Sequence, residues 1–254
     1  MRTILFAAMM LLGPASAPAA QPPAHDPVAV AILDRMADNI GSLHSCTVRL
    51  QTARDEWDAD AGVTVTRHDR HEVMLAGPDK MLVNSDGDHG HRGYWYDGAY
   101  LVYYSYDENN YGRVDAPPTI IEAIDSVHRD YGIDFPAADF IYPTFVTDLL
   151  AQSSRVAYLG TVEVSGRRCF HVVATGAAQD VELWIADDAA NLPVKYRFRD
   201  KDRANNRTTT YEGVFEDWHL NPDLPEGVFS FMPPPGATPV RMLARQEKPN
   251  GGAR

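Results

Sequence analysis

Cysteine, basic residues and long apolar runs are all scarce in this sequence, and each shortage excludes something. Only two cysteines occur in 254 residues, so neither a disulfide framework nor a cysteine-rich metal module can organise the fold. Lysine and arginine total 23 against 35 aspartates and glutamates, a formal net charge of −12. Nucleic-acid binding needs a basic face, and no dense Lys/Arg cluster supplies one. The one extended apolar run, Ile4–Leu12, is too short to span a bilayer comfortably. Catalytic signatures are missing too. There is no G-x-S-x-G turn and no glycine-rich phosphate loop.

That apolar run sits where a secretory signal would. Met1-Arg2-Thr3 is a short positive start, and small residues through Ala20 follow the run. The order is that of a signal peptide, with Ala17-x-Ala19 placing cleavage after residue 19. Loss of Arg2 takes the net charge from −12 to −13. The mature chain is expected to be soluble and periplasmic, a single domain over residues 20–241 with a disordered tail over 242–254. In an oxidising compartment, Cys46 and Cys169 could form one disulfide or remain two buried thiols.

Along the chain, Asp26-Pro27 is a helix start, and Ile32, Leu33, Met36, Ile40 and Leu43 recur at helical spacing. The period then drops to two. Cys46, Val48 and Leu50 begin a strand, "DEWDADAG" reads as a turn, and Val63 through Leu75 form the next strand. "SDGDHGHRG" reads as a loop. A Thr119-x-x-Glu122 capping box opens a second helix carrying Ile120, Ile124 and Val127, which Gly132 closes. Short helical pieces after Pro136 and Pro143 end near Leu150. From Ser153 onward the alternation is that of strands, the last spanning about Arg207–Trp218. Helices segregated from antiparallel strands predict an α+β fold of about eleven strands.

Histidine clusters invite a metal reading. In "RHDRHE" (67–72) His68 and His71 fall on opposite faces of a strand, and Leu75 stands where a zinc-protease motif needs histidine. His89 and His91, with Asp86 and Asp88, are the remaining metal candidates and would imply a metal-dependent hydrolase. A surface strand and a Gly/Asp/His turn explain both stretches. No metal and no cofactor are expected.

The most unusual stretch is "GYWYDGAYLVYYSYDENNYG", Gly93–Gly112, which holds seven of the twelve tyrosines. Asp97-Gly98 is a hairpin turn signal. Leu101 and Tyr103 share one strand face; Tyr100, Val102, Tyr104 and Tyr106 share the other. Both faces therefore need cover, and tyrosine hydroxyls suit a wet margin.

Asp97-Gly98-x-x-Leu101-x-x-Tyr104 with Asp107 resembles the D-G-x-x-L-x-x-Y-D stretch of the outer-membrane lipoprotein carriers (LolA type), with two extra residues before the last Asp. Gly77-Pro78-Asp79-Lys80 falls where those carriers have R-P-N or R-P-D, and Phe229–Gly236 is similar to their F-x-F-x-P-P-x-G. A longer resemblance, to the predicted periplasmic proteins of domain of unknown function 2092, is carried by Tyr96-Asp97-Gly98, "APPTIIEAID", "DYGIDFPAADFI", "YLGTVEVSGRRCFHV" and "FSFMPPPGA". It implies a strongly curved antiparallel half-barrel with a leading helix and a helical lid on its concave face. The carriers' arginine, tied to gripping and releasing cargo, is replaced here by Gly77.

The expected function is non-enzymatic binding of an acyl chain, a lipid or a lipidated protein between sheet and lid. Met81, Val83, Leu101, Tyr103, Ile124, Val127 and Phe140 are the candidate lining. The alternative on the same fold is an envelope-stress regulatory module with a filled core, an exposed apolar patch and a transient envelope partner.

Overall fold

The computed structural model describes residues 24–202 and 207–245; the expected signal peptide, 1–19, and residues 246–254 of the expected disordered tail lie outside them. One twelve-stranded sheet carries the architecture. Strands β1 (Ser45–Asp58), β2 (Val63–Ala76), β3 (Lys80–Gly87), β4 (Arg92–Tyr96), β5 (Tyr100–Ser105) and β6 (Asn110–Asp115) make one antiparallel meander. β7 (Ser153–Val164), β8 (Arg167–Gly176), β9 (Gln179–Ala186), β10 (Pro193–Asp202) and β11 (Arg207–Leu220) make a second. The meanders join where β1 pairs antiparallel with β11. The twelfth strand, Thr238–Pro239 (β12), runs parallel to β6 at the edge.

This order sets the path of the helices. β6 and β7 are consecutive in sequence but ten inter-strand steps apart in the sheet, about 48 Å at the usual strand spacing. The connection between them must cross the sheet. It carries α2 (Ile120–Tyr131), a 3-10 turn (Ala138–Ile141) and α3 (Phe145–Gln152). Helix α1 (Pro27–Gly41) precedes β1. Among the described residues, no helix is long and apolar enough to cross a membrane.

Local chemistry explains each helix. Asp26 accepts a hydrogen bond from the Val28 N–H at 2.9 Å, with Pro27 at the first helical position, so α1 starts where the sequence predicts. Thr119 accepts from the Glu122 N–H at 3.3 Å, and its hydroxyl meets the Glu122 carboxylate at 2.8 Å. Gly132 ends α2 in the left-handed region, φ 68°, a conformation glycine adopts without a Cβ penalty.

Two apolar clusters result. In the first, Ile32, Leu33 and Met36 of α1 meet Val172, Leu183, Ile185, Tyr196 and Phe215 of the second meander, joined by Phe140 and α3. In the second, Ile120, Ile124 and Val127 of α2 pack on Met81, Val83, Tyr94, Tyr96 and Leu101. The tyrosine-rich hairpin serves both faces. Tyr94, Tyr96 and Tyr103 belong to the α2 side, while Trp95, Tyr104 and Tyr111 surround Phe231 on the other face, ring centroids 5.0, 5.5 and 5.4 Å away. The C-terminal segment therefore covers the outer rings.

Two expectations need correction. β1 runs on through "DEW", so the turn occupies only 59–62, and β3 absorbs Ser85–Gly87 from the stretch read as a loop. At the start of the expected tail, the Arg245 N–H donates to the Asp130 carbonyl at 2.6 Å, and Met242 lies over Gly112. Of the two readings left open for Cys46 and Cys169, the structure has the second, with both thiols free and buried. Cys46 is on β1 and Cys169 on β8, four strand steps apart, about 19 Å along the sheet. A disulfide needs Cα atoms within about 7 Å.

Candidate functional site

Register across the middle of the sheet places residues in rungs that share one face. The first two rungs are Cys46–Leu75–Met81–Tyr96 and Val48–Val73–Val83–Tyr94. The third is Phe215–Leu50–His71–Ser85–Arg92, and the fourth continues with Gly213–Thr52–Asp69–Gly87. Within one step along the strands the same face changes from hydrocarbon to hydrogen-bonding groups.

Above the apolar rungs is a cavity of about 440 Å³. It lies in the seam between the two clusters, because α1 covers one meander and α2 the other while only the 135–141 connection bridges the middle. Its wall is Val48, Leu50, Val83, Ile124, Phe140 and Phe215, among others, with Trp218 to one side. No aspartate, glutamate, lysine or arginine lines it. Exposed Gly41, His44, Gly77 and Pro78 mark its mouth. A Cβ at Gly77 would meet only the His44 carbonyl, at 3.7 Å, so the position has room for a side chain. Cys46 also lines the cavity, and burial pushes its thiol up to about 11.

Of the seven lining candidates, Met81, Val83, Ile124 and Phe140 line this cavity. Leu101 and Val127 are buried core of the second cluster, with Tyr103 packed against it. Leu50, Phe135, Phe215 and Trp218 went unread. Leu50 was findable, since it continues the Cys46–Val48 alternation; Phe215 reaches the site through the β1–β11 pairing and Phe135 through the connection after α2, neither of which a local pattern encodes.

Above the polar rungs is a second cavity of about 720 Å³. Its floor is Thr52, Asp69, His71 and Ser85, all buried. The His71 ring nitrogens meet the Thr52 hydroxyl at 2.9 Å and the Ser85 hydroxyl at 2.7 Å. Burial pushes the His71 imidazole down to about 4, outweighing the opposing pull of Asp69. His89 sits between two carboxylates, Nδ1 at 2.6 Å from Asp69 and Nε2 at 2.9 Å from Glu56. Both contacts are hydrogen bonds only when both ring nitrogens carry protons. Against the pull of burial, the ring and N–H of His89 hold the Asp69 carboxyl below its ordinary range. The His128–Asp134 pair, with Arg54 3.9 Å from Asp134, forms an exposed rim.

His89 and His91 are not brought together. The His91 ring stacks on Tyr106 at 3.9 Å while His89 faces Asp69 and Glu56. Among the described residues no group of three or more His, Cys, Asp and Glu side chains is arranged to hold a metal ion. The surface-strand reading of "RHDRHE" is corrected for Asp69 and His71, which point inward onto the polar floor.

The two cavities share Ile124 and Phe135–Ala138 as a common wall. Phe135 rests edge-on against Tyr94, centroids 5.2 Å apart, and Phe140 packs on Tyr196 and Phe215 at 5.5 Å each. Beneath this crossing the floor is continuous, rung by rung.

A family model described as "Predicted periplasmic protein (DUF2092)" matches residues 29–243. No curated protein matches the sequence. Among solved structures, the chain is similar to the lipoprotein LppX of Mycobacterium tuberculosis (15% identity, TM-score 0.49, covering 79% of this chain and 98% of that one). It is similar to LprF from Mycobacterium bovis (13%, TM-score 0.46, 78% and 97%) and to a LolA superfamily protein from Nitrosomonas europaea (12%, TM-score 0.33, 80% and 97%). Likenesses this distant leave the cavities themselves to carry the functional reading.

Proposed function

The chain belongs to the DUF2092 family of predicted periplasmic proteins, and on that premise we propose that it is an exported, non-enzymatic binding protein. It holds the hydrocarbon of an acyl chain, a lipid or a lipidated protein between its sheet and the helical connection. In this reading the sheet curves around α1 and α2 as a half-barrel, with the 116–152 connection as its lid. The single observation that carries it is the 440 Å³ cavity with no charged wall residue, a size within the ordinary range of small-molecule pockets.

The energetics suit a hydrocarbon guest. Each buried methylene contributes about 0.8 kcal/mol, so a chain of about twelve carbons gains roughly 10 kcal/mol before ordering costs. No charged anchor is required, which accommodates Gly77 at the position of the carriers' arginine. A regulatory module with a filled core would leave no such space.

Native mass spectrometry of the protein purified from the periplasm, followed by solvent extraction, tests the proposal. A discrete lipid-like adduct, lost in Phe140→Asp, is the expected result. An adduct-free protein that also refuses added fatty acids and acylated peptide would overturn it.

A further inference from the structure

The floor of the polar cavity carries a hydrogen-bonding arrangement that the holding of hydrocarbon does not use. Thr52, His71 and Ser85 stand on three neighbouring strands, line the cavity, and are 7, 8 and 4% exposed. The His71 ring meets one hydroxyl with each nitrogen, and neither hydroxyl has a further partner among the described residues. Burial keeps His71 neutral, so one ring nitrogen carries a proton and the other is bare. One hydroxyl must donate to the bare nitrogen, while the other accepts from the protonated one. The accepting hydroxyl keeps its own proton unspent. Whichever tautomer is present, the floor offers one O–H to whatever enters the cavity.

Arg92 adds a stronger donor. It lies directly across the β3–β4 ladder from Ser85, in the same rung as His71. Its guanidinium is half-buried and makes no hydrogen bond or ion pair among the described residues, and its charge bears on the His71 ring. Arg54, the other arginine of the wall, is already beside Asp134 at 3.9 Å, and Asp69 on the floor is engaged by His89. The unspent groups of the floor are therefore donors, and they match an acceptor. Two features say which. The cavity is lined by six carboxylates, of Glu56, Asp69, Asp125, Asp134, Asp139 and Asp200, against two arginines, so an anionic head would meet a wall of its own sign. A neutral carbonyl escapes that repulsion and still takes a charge-assisted hydrogen bond from a guanidinium. Along β3, Ser85 is two residues from Val83 and four from Met81, about 7 and 14 Å, and both of these line the apolar cavity. A chain attached to a carbonyl at Ser85 and Arg92 leads into it.

We propose that this floor is a carbonyl site and that the ligand is a neutral acyl ester: its carbonyl oxygen accepts from Arg92 and from the unspent hydroxyl of Thr52 or Ser85, and its chain fills the apolar cavity. This rests on the hydrocarbon-binding reading above and narrows it, since a free fatty acid is then the poorer ligand. An ester brings acceptors and no donor, so nothing in its head group is left unpaired against a floor of donors.

Three ten-carbon probes separate the two claims: monodecanoylglycerol, its ether analogue 1-O-decylglycerol, and decanoate, titrated calorimetrically at pH 7 below their aggregation concentrations. The ether lacks only the carbonyl and is the more apolar of the pair, so hydrocarbon burial alone favours it. The ester is nevertheless expected to bind about tenfold tighter than the ether, the equivalent of about 1.4 kcal/mol, and tighter than decanoate. Arg92→Met should bring the ester-to-ether ratio toward one with ether affinity unchanged, which also reports that the variant is folded. Arg92→Gln, with a neutral donor, should fall between the two. Arg54→Met, which removes the arginine already beside Asp134, should keep the ratio. An ester that binds no tighter than its ether, a ratio that survives Arg92→Met or falls equally in Arg54→Met, or decanoate as the tightest ligand overturns the carbonyl site but leaves hydrocarbon binding standing. Failure of all three probes to bind overturns both.

Discussion

Two ends of one sheet face, built from the same strands, do opposite things with water. At the Cys46–Val48 end, side chains from both meanders leave a space lined mostly by apolar groups and by no charged Asp, Glu, Lys or Arg. At the Thr52–Arg54 end, the same strands place hydroxyls, imidazoles and carboxylates around a larger space. The backbone is alike in both: antiparallel ladders in unbroken register from β2 to β4. The change lies in the side chains of the third rung, where His71 and Ser85 succeed Val73 and Val83. A sheet sets where a wall stands, and the inward residue of each rung sets what the wall accepts.

The largest expected effect comes from truncating the wall of the apolar end. Phe140→Ala removes a ring that packs on Phe145, Tyr196 and Phe215, and should lower unfolding stability by about 3–5 kcal/mol in urea titration. Binding of a hydrocarbon probe should weaken with it. Unchanged stability would mean that the Phe140 ring is not packed against these three neighbours.

Next in size is the polar end's dependence on pH. His71 is buried neutral, its imidazole held at about 4 against about 6.5 when unfolded. Between those values the unfolded chain binds a proton that the folded chain does not, so stability rises with pH across this window. The contribution is fully present above pH 6.5 and declines as pH falls toward 4, by roughly 3 kcal/mol in all. Denaturation at pH 7 and pH 4.5 should show most of that loss. His71→Leu, which extends the apolar character by one rung, should flatten the profile there.

Gly77→Leu places a branched side chain at the apolar mouth, where the backbone leaves room for it. The expected result is native-like thermal stability with hydrocarbon affinity reduced roughly tenfold, about 1.4 kcal/mol. The smallest effect concerns Cys46. Denatured, unreduced protein should alkylate at both cysteines, since neither is paired. In the folded protein Cys46 should react slowly, with a thiolate fraction near ~10⁻⁴ at neutral pH, and more slowly still once a hydrocarbon fills the cavity.

The apolar end was the more legible of the two in sequence. Local devices write themselves into neighbouring residues: Asp26-Pro27 and Thr119 through Gly132 marked two helices, and the alternation at Met81–Val83 and the stripe at Ile124 pointed to the wall. Phe215 and Trp218 join that wall only because β11 returns to pair with β1, and Phe135 only because the connection after α2 crosses the sheet; neither event leaves a local trace. The polar end was misread for a different reason. Asp55, Glu56, Asp69 and His71 look like surface residues to any pattern that equates charge with solvent, yet Asp69 and His71 are buried. A charged residue in phase with an apolar run, as Asp69 and His71 are with Val73 and Leu75, is the signal that would have shown it.

The most direct test of hydrocarbon occupancy uses tryptophan. The chain has four, Trp57, Trp95, Trp184 and Trp218, and of these only Trp218 lines the apolar cavity. Titration with a fatty acid brominated along its chain should quench part of the intrinsic fluorescence, and Trp218→Phe should abolish that quenching while binding persists. Quenching that survives in Trp218→Phe, or binding without any quenching, would place the hydrocarbon elsewhere and contradict the account.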